Sequence, residues 1–285
     1  MSLWVIGGVG VVIFVAAVVP GMLLWWPARH RPDARSGFGV SLVTGAVVAL
    51  AIFALQMMFE MRLDHVDQQR QRQAGRQNLE LTIGLQTSLP GIQLAGEHLE
   101  DFFFYGKNLR AAHFEGADLR DATFTGSDLS CANLSGAVLK GVTAQHVGLR
   151  GTNLERADLT DAILSNAHRR GSCSSSDHTN MTDAVLTNAE LDNARLKESN
   201  FRGADLRDAD LHASHLERSD FRSAHLNDAS LERAYLNGAL LSGADLSGAG
   251  LRGATLTGAT YDSHTVWPSR FGHRRCAASK LCTVA

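Results

Sequence analysis

From Leu89 to Val266 an apolar residue returns at almost every fifth position. Leu109, Phe114, Leu119, Phe124 and Leu129 set the beat, which Leu134 and Leu139 continue. After a weak beat at Ala144, Leu149, Leu154, Leu159 and Leu164 resume it. A second run goes from Met181 to Tyr261 and includes Phe201, Leu206, Leu211, Phe221, Leu246 and Leu251. From Phe114 onward the residue two places earlier is nearly always Ala, Ser, Thr or Val. A period of five matches neither the 3.6 of a helix nor the 2 of a flat strand. Within a unit, apolar side chains two apart point the same way, as in a short extended segment. The residues between and after are polar and must face water. A chain that turns after each such segment winds into a coil with a closed core. One unit buries almost nothing, but stacked coils bury a continuous column.

The stretches FEGADLRDATFTGSDLSCANLSGA (114–137) and FRGADLRDADL (201–211) resemble pentapeptide-repeat proteins. ATYDSHTVWPSRF (259–271) resembles a common C-terminal ending of such domains. The resemblance implies an all-β solenoid, a right-handed quadrilateral β-helix with four units per coil. The large residue and the small one two before it then point inward. Residues twenty apart stack, so Phe104 falls on Phe124 and Phe201 on Phe221. The expected core includes Phe104, Phe114, Leu119, Phe124, Leu129, Phe201, Leu206, Leu211, Phe221, Leu246, Leu251 and Tyr261. About eight coils at about 4.8 Å each make a rod about 40 Å long.

The N-terminal fifth differs sharply in composition. Leu3–Trp26 and Gly39–Phe59 hold no charged residue, and each is long enough to cross about 30 Å of hydrocarbon. Trp4, Trp25 and Trp26 flank the first run as an aromatic belt would. Residues 1–59 therefore read as a two-helix transmembrane hairpin with spans 3–26 and 39–59, making the bilayer a partner through residues 3–59. Arginines near the span ends nearly balance, and the family resemblance favours a cytoplasmic solenoid. Residues 60–88, rich in Gln and Arg, read as a helical stalk and solenoid cap.

The solenoid then divides into 89–164 and 181–266, with an inserted loop at 165–180 and a tail at 267–285. Met181 lies seventeen residues after Leu164, so the beat slips there. If Met181 fills the slot after Leu164, about twelve residues protrude. Gly, Ser and charged residues dominate the segment, as in a loop.

No chemical site emerges, and no cofactor, metal or catalytic residue is assigned. Ser174, Asp177 and His178 crowd one loop without an implied oxyanion site. His215 and His225 fall on opposite faces of a four-sided coil, so with His212 they cannot share a metal. The tail's His264, His273, Cys276 and Cys282 lack a usual zinc spacing, and a Cys276–Cys282 disulfide is as plausible.

Between Leu89 and Val266 there are 24 Asp and Glu against 16 Lys and Arg. Some members of the resembled family are DNA mimics that protect DNA gyrase, which would need acidic side chains arranged like phosphates. Here Arg202, Arg207, Arg218, Arg222 and Arg233 interrupt the acidic rows and form the expected interaction surface. Absence of a basic stripe argues against direct nucleic-acid binding. The leading expectation is a membrane-anchored, non-catalytic scaffold for an unidentified protein partner. A DNA-mimic regulator is the first alternative, and an enzyme with a site near 165–180 the second.

Overall fold

The computed structural model describes residues 34–168 and 178–269. Two compact units divide between Asn78 and Leu79. In the first, the chain forms a single helix, α1 (Ala34–Leu85), whose last turns belong to the second unit.

The expected transmembrane hairpin is not upheld. Among the described residues no helix is long and apolar enough to cross a membrane. The run 3–26 lies outside the described residues. The run 39–59 continues without a break into the Gln- and Arg-rich stretch, within one helix of 52 residues. The multi-pass placement and the bilayer as partner are corrected accordingly.

In the second unit the chain winds into a four-sided coil. Phe103 pairs in parallel with Thr123, Asn108 with Asp128, His113 with Asn133 and Asp118 with Val138, each partner twenty residues on. Three backbone N–H groups per unit tie each coil to its neighbours, as Asn108, Leu109 and Ala111 do. Leu109 N–H donates to the Asp128 carbonyl above at 2.8 Å, and Asn108 N–H to the Thr87 carbonyl below at 2.9 Å. Because every backbone polar group of the coil needs a partner, this axial pairing fixes the coil length.

We number the sides by their core residues. Side one carries Leu109, Leu129 and Leu149, then Leu196, Leu216 and Leu236. Side two carries Phe114, Leu134 and Leu154, then Met181, Phe201 and Phe221. Side three carries Leu119, Leu139 and Leu159, then Leu186, Leu206, Leu226 and Leu246. Side four carries Phe104, Phe124, Ala144 and Leu164, then Leu191, Leu211, Leu231 and Leu251. All these residues are buried in one column. Phe104 and Phe124 stack at 4.7 Å between ring centres, Phe201 and Phe221 at 4.8 Å, and Phe114 meets Phe104 edge-on. Tyr261 is only partly buried, its ring edge-on to Trp267 at 5.3 Å.

The corners explain the polar letters of the repeat. The residue two past each core residue takes a positive φ, as at Asp121 (58°), Gly136 (64°) and Asp228 (58°). Glycine adopts this region freely, and Asn and Asp tolerate it. The residue just before the core position is often Asp or Asn, and its Oδ1 accepts the backbone N–H two residues on. Asp128 does this for Ser130 at 2.9 Å and Asp245 for Ser247 at 2.9 Å. These are Asx turns, which hold the chain at the corner without help from tertiary contacts.

Both ends of the column are closed. Ile83, in the last turn of α1, is buried in the core, and Leu79 packs against it. Lys107 is buried too, and its Nζ donates to the Gln86 carbonyl at 2.7 Å, where the unpaired carbonyls of the helix end favour a cation. At the other end Asp262 accepts N–H bonds from Gly243 and His264, both at 3.0 Å. The Thr265 hydroxyl donates to the Leu241 carbonyl at 2.9 Å.

The expected loop at 165–180 is narrower than the sequence implied. Asn153 pairs with Asn180 and Asp158 with Val185, each 27 residues on rather than 20. The coil thus holds seven extra residues, not twelve, and Met181 stacks over Leu154 instead of following Leu164. Ser165–His168 keep the regular register: His168 N–H donates to the Val147 carbonyl at 2.9 Å.

The weak beat leaves a defect. A cavity of about 20 Å³ opens in the core, lined by Ala144 with Leu164 above and Phe124 below among others. Ala144→Leu should fill it and raise the melting temperature by about 2–4 °C, the usual return on filling a core void. Leu206→Asp should lower it steeply, because an unpaired carboxylate would enter the dry column. Arg207→Ala, on the outside, should change it little; equal melting temperatures for these last two variants would overturn the inward assignment.

Candidate interaction surface

Each unit presents three outward positions: one before the core residue, one after it, and the corner residue two after it. Sorting the charged residues by side gives an uneven result. Side three holds Asp118, Asp158, Asp205 and Asp245 in the position before the core, and Glu100 in the one after. Its corner column adds Asp101, Asp121, Asp161, Asp208 and Asp228. Against these ten carboxylates stand three cations: Arg120, Lys140 and Arg207. Side one has the opposite balance, with Arg110, Arg150, Arg195, Lys197 and Arg218 against Asp128, Glu198 and Glu217.

The three cations on side three are already engaged. Arg120 grips Asp118 with Nε at 2.8 Å and a terminal nitrogen at 2.6 Å, and reaches Glu100 at 3.3 Å. Arg207 grips Asp205 in the same fork, at 2.7 and 2.5 Å. Lys140 Nζ lies 3.1 Å from Asp158 in the next coil. Such bidentate forks fix geometry as well as charge. They hold the Asp118 and Asp205 carboxyls below the usual carboxylate range, chiefly through the arginine hydrogen bonds. At Asp220, on side two, burial pushes the other way, and the side-chain and backbone hydrogen bonds from Arg222 outweigh it.

The corner column is different. Asp101, Asp121, Asp161, Asp208 and Asp228 are all exposed. They lie in one line along the rod, at spacings of one or two coils, about 5 or 10 Å. Asn188 fills one gap and donates its amide to Asp161 at 3.1 Å. Gly141 fills the other, and Gly248 continues the column past Asp228. A Cβ added at Gly141 would strike Asp121, and one added at Gly248 would strike Asp228. Asp121 and Asp228 therefore lean along the rod over the glycine of the next coil.

The five arginines expected to form a surface do not converge. Arg202 and Arg222 lie on side two, Arg207 on side three, Arg218 at the corner after side one, and Arg233 at the corner after side four. Arg218 is bound to Glu198 at 3.3 Å and Arg222 to Asp220 at 2.5 Å. Nearness in sequence here means wrapping round the coil, so these arginines do not interrupt the acidic column.

His215 stacks on Tyr235 at 4.5 Å on side one, across the rod from His225 on side three. His98, Glu100 and Asp118 come close enough to share an ion, but Arg120 already binds both carboxylates. A groove of about 380 Å³ lies beside the insert, lined in part by His178, Glu198, Arg218 and Asp220. Its carboxylates are taken by Arg218 and Arg222, with His178 3.9 Å from Glu198. Ser174 and Asp177 of the considered triad, and His273, Cys276 and Cys282 of the tail, lie outside the described residues.

A family model described as pentapeptide repeats matches eight copies, within 108–168 and 179–258. The solenoid belongs to the pentapeptide-repeat family. Members of this family fold as right-handed quadrilateral β-helices, which the four-sided coil reproduces. Among solved structures, the chain is similar to HetL, a pentapeptide-repeat protein involved in heterocyst differentiation regulation from the cyanobacterium Nostoc sp. strain PCC 7120. The identity is 24% over 66% of this chain and 97% of that one, with a TM-score of 0.30. A second Nostoc pentapeptide-repeat protein, alr5209, is 37% identical over 34% of this chain and 81% of its own, with a TM-score of 0.34. Full-length QnrB1, a plasmid-mediated fluoroquinolone resistance protein, is 19% identical over 62% of this chain and 94% of its own, with a TM-score of 0.25. No curated protein matches the chain.

The forks give a testable pH dependence. Asp205 has a folded pKa below its ordinary 3.8. Its contribution to stability is therefore complete above that value and is lost as the pH falls through the folded pKa. Asp205→Asn keeps the turn but removes the charge. It should melt slightly below the parent at pH 7, and the gap should close as the pH drops below 3.8. A gap that stays constant down to pH 2 would assign the fork no role.

Proposed function

We propose that this pentapeptide-repeat solenoid is a non-catalytic scaffold that docks a protein partner along side three. The acidic corner column carries this reading. Five exposed carboxylates run along one edge of a rigid rod, while the cations beside them are held in forks by other aspartates. A complementary surface would present a line of Lys or Arg. Such a match speeds encounter and selects partners more than it adds affinity.

A second reading, a DNA-mimic regulator of a nucleic-acid enzyme such as DNA gyrase, is favoured by the same column. Its negative charges are regularly spaced along a rod, as phosphates are along a duplex. The two readings differ in whether duplex DNA competes for the partner.

Proximity labelling from the solenoid, in the cell that makes it, tests both. Converting Asp101, Asp121, Asp161, Asp208 and Asp228 to Asn should abolish labelling of the partner, and Arg202→Ala with Arg233→Ala should not. Labelling that survives the loss of the five charges would overturn the assignment to side three. If the purified pair is displaced by duplex DNA, the mimic reading holds over the general one.

A further inference from the structure

Opposite faces of the solenoid carry opposite charge, and the charges fall in the same coils. We count coils from Leu89, so that the second opens at Leu109, the fourth at Leu149, the sixth at Leu196 and the seventh at Leu216. The acidic corner column of side three then has Asp101 in coil one, Asp121 in two, Asp161 in four, Asp208 in six and Asp228 in seven. Coils three, five and eight hold Gly141, Asn188 and Gly248 in its place. On side one the cations are Arg110 in coil two, Arg150 in four, Arg195 and Lys197 in six, and Arg218 in seven. Four of the five acidic coils thus have a cation on the opposite face, and Asp101 is the exception. In coil three the signs reverse on both faces, with Asp128 on side one and Lys140 on side three. The other acids of side one are engaged on their own face, Glu198 with Arg218 at 3.3 Å and Glu217 with His215 at 3.4 Å.

Sides one and three lie across a four-sided coil from each other. Two copies set side by side in the same orientation therefore bring side three of one against side one of the next. With no shift along the rod, coil two meets coil two and coil seven meets coil seven. The matched charges then extend over five coil steps, about 24 Å. Sliding by one coil in either direction leaves at most two of the five aspartates opposite a cation of the described residues, and sets one of them against Asp128. Each copy in such a contact still has one face of each sign open. The contact is heterologous and does not close on itself.

We propose that the partner of side three is side one of a second copy of this chain, so that the rods associate side by side, parallel and in register, into an open row. This rests on the reading that side three docks a protein, and it names that protein. Complementary charge selects the register and speeds encounter, and salt weakens both effects.

The test uses three charge-reversed forms of the full-length protein, read by sedimentation velocity at about 0.05 M salt. The side-three form carries Asp121→Lys and Asp161→Lys; corners with positive φ accept a long cation, as Arg218 and Arg233 show. One side-one form carries Arg110→Glu and Arg150→Glu, in the same two coils. The other carries Arg195→Glu and Lys197→Glu, in coil six. The parent should form assemblies that grow with concentration and dissolve at about 1 M salt. The side-three form and the first side-one form should each associate about tenfold more weakly than the parent. Mixing these two restores opposite signs wherever their faces meet and should rebuild assemblies larger than pairs. That recovery also shows that both forms are folded. Mixing the side-three form with the coil-six form should stop at pairs under the same conditions, because like charges then meet in coils two, four and six. Assemblies that rebuild equally in both mixtures would overturn the register, and assemblies unchanged by either reversal would overturn the contact. A parent that stays a single copy, while neutralising the five aspartates still abolishes labelling of another protein, would overturn self-docking and leave the scaffold reading standing.

Discussion

The solenoid depends on one turn, made again at every corner. Two residues past each core side chain the backbone enters the left-handed region. Without that turn the short extended segments would run on, and no column would close. The turn is also where most chain lengths would be rejected: four corners at five residues each give twenty, and only at twenty do the axial N–H and C=O groups meet. Local geometry thus sets the period, and backbone pairing between coils enforces it. Burial of Leu and Phe in the column then supplies the stability that a single coil lacks.

The same turn shapes the surface. A position with positive φ admits Gly, Asn and Asp most readily, and two of those can be polar. Placing Asp there on one side only, coil after coil, converts a requirement of the backbone into a line of charge. Glycines interleaved in the column leave room for the aspartates to lean. Folding and the proposed recognition therefore draw on the same residues. Asp121 and Asp228 serve the corner by their backbone and the surface by their carboxylates.

How much of this was readable in the amino-acid string depends on the distance over which the information is stored. The core was legible because each unit repeats the same cue five residues on. Stacks such as Phe104 on Phe124 followed from simple counting. The surface was not legible in the same way. Arg202 to Arg233 looked like a basic cluster because they are close in sequence, but successive units face different sides. The acidic column was hidden for the complementary reason, since its members lie twenty or more residues apart. The N-terminal spans were read from apolar composition alone, and among the described residues no helix is long and apolar enough to cross a membrane. The helical stalk expected after residue 59 is present as the continuation of one helix, Ala34–Leu85.

The insert also shows where this architecture tolerates change. Seven is not a multiple of five, yet Asp161 and Asp208 remain on one line across it, because the extra length leaves and rejoins at the same corner. Everywhere else along the rod, adding one to four residues would shear every later unit out of its slot. Adding five would rotate all downstream sides by a quarter turn, carrying the acids round to a new face while leaving the core intact. The corner beside His168 is thus a joint that absorbs length without losing phase. Divergence in the size of this segment can proceed while the charge pattern on either side stays aligned.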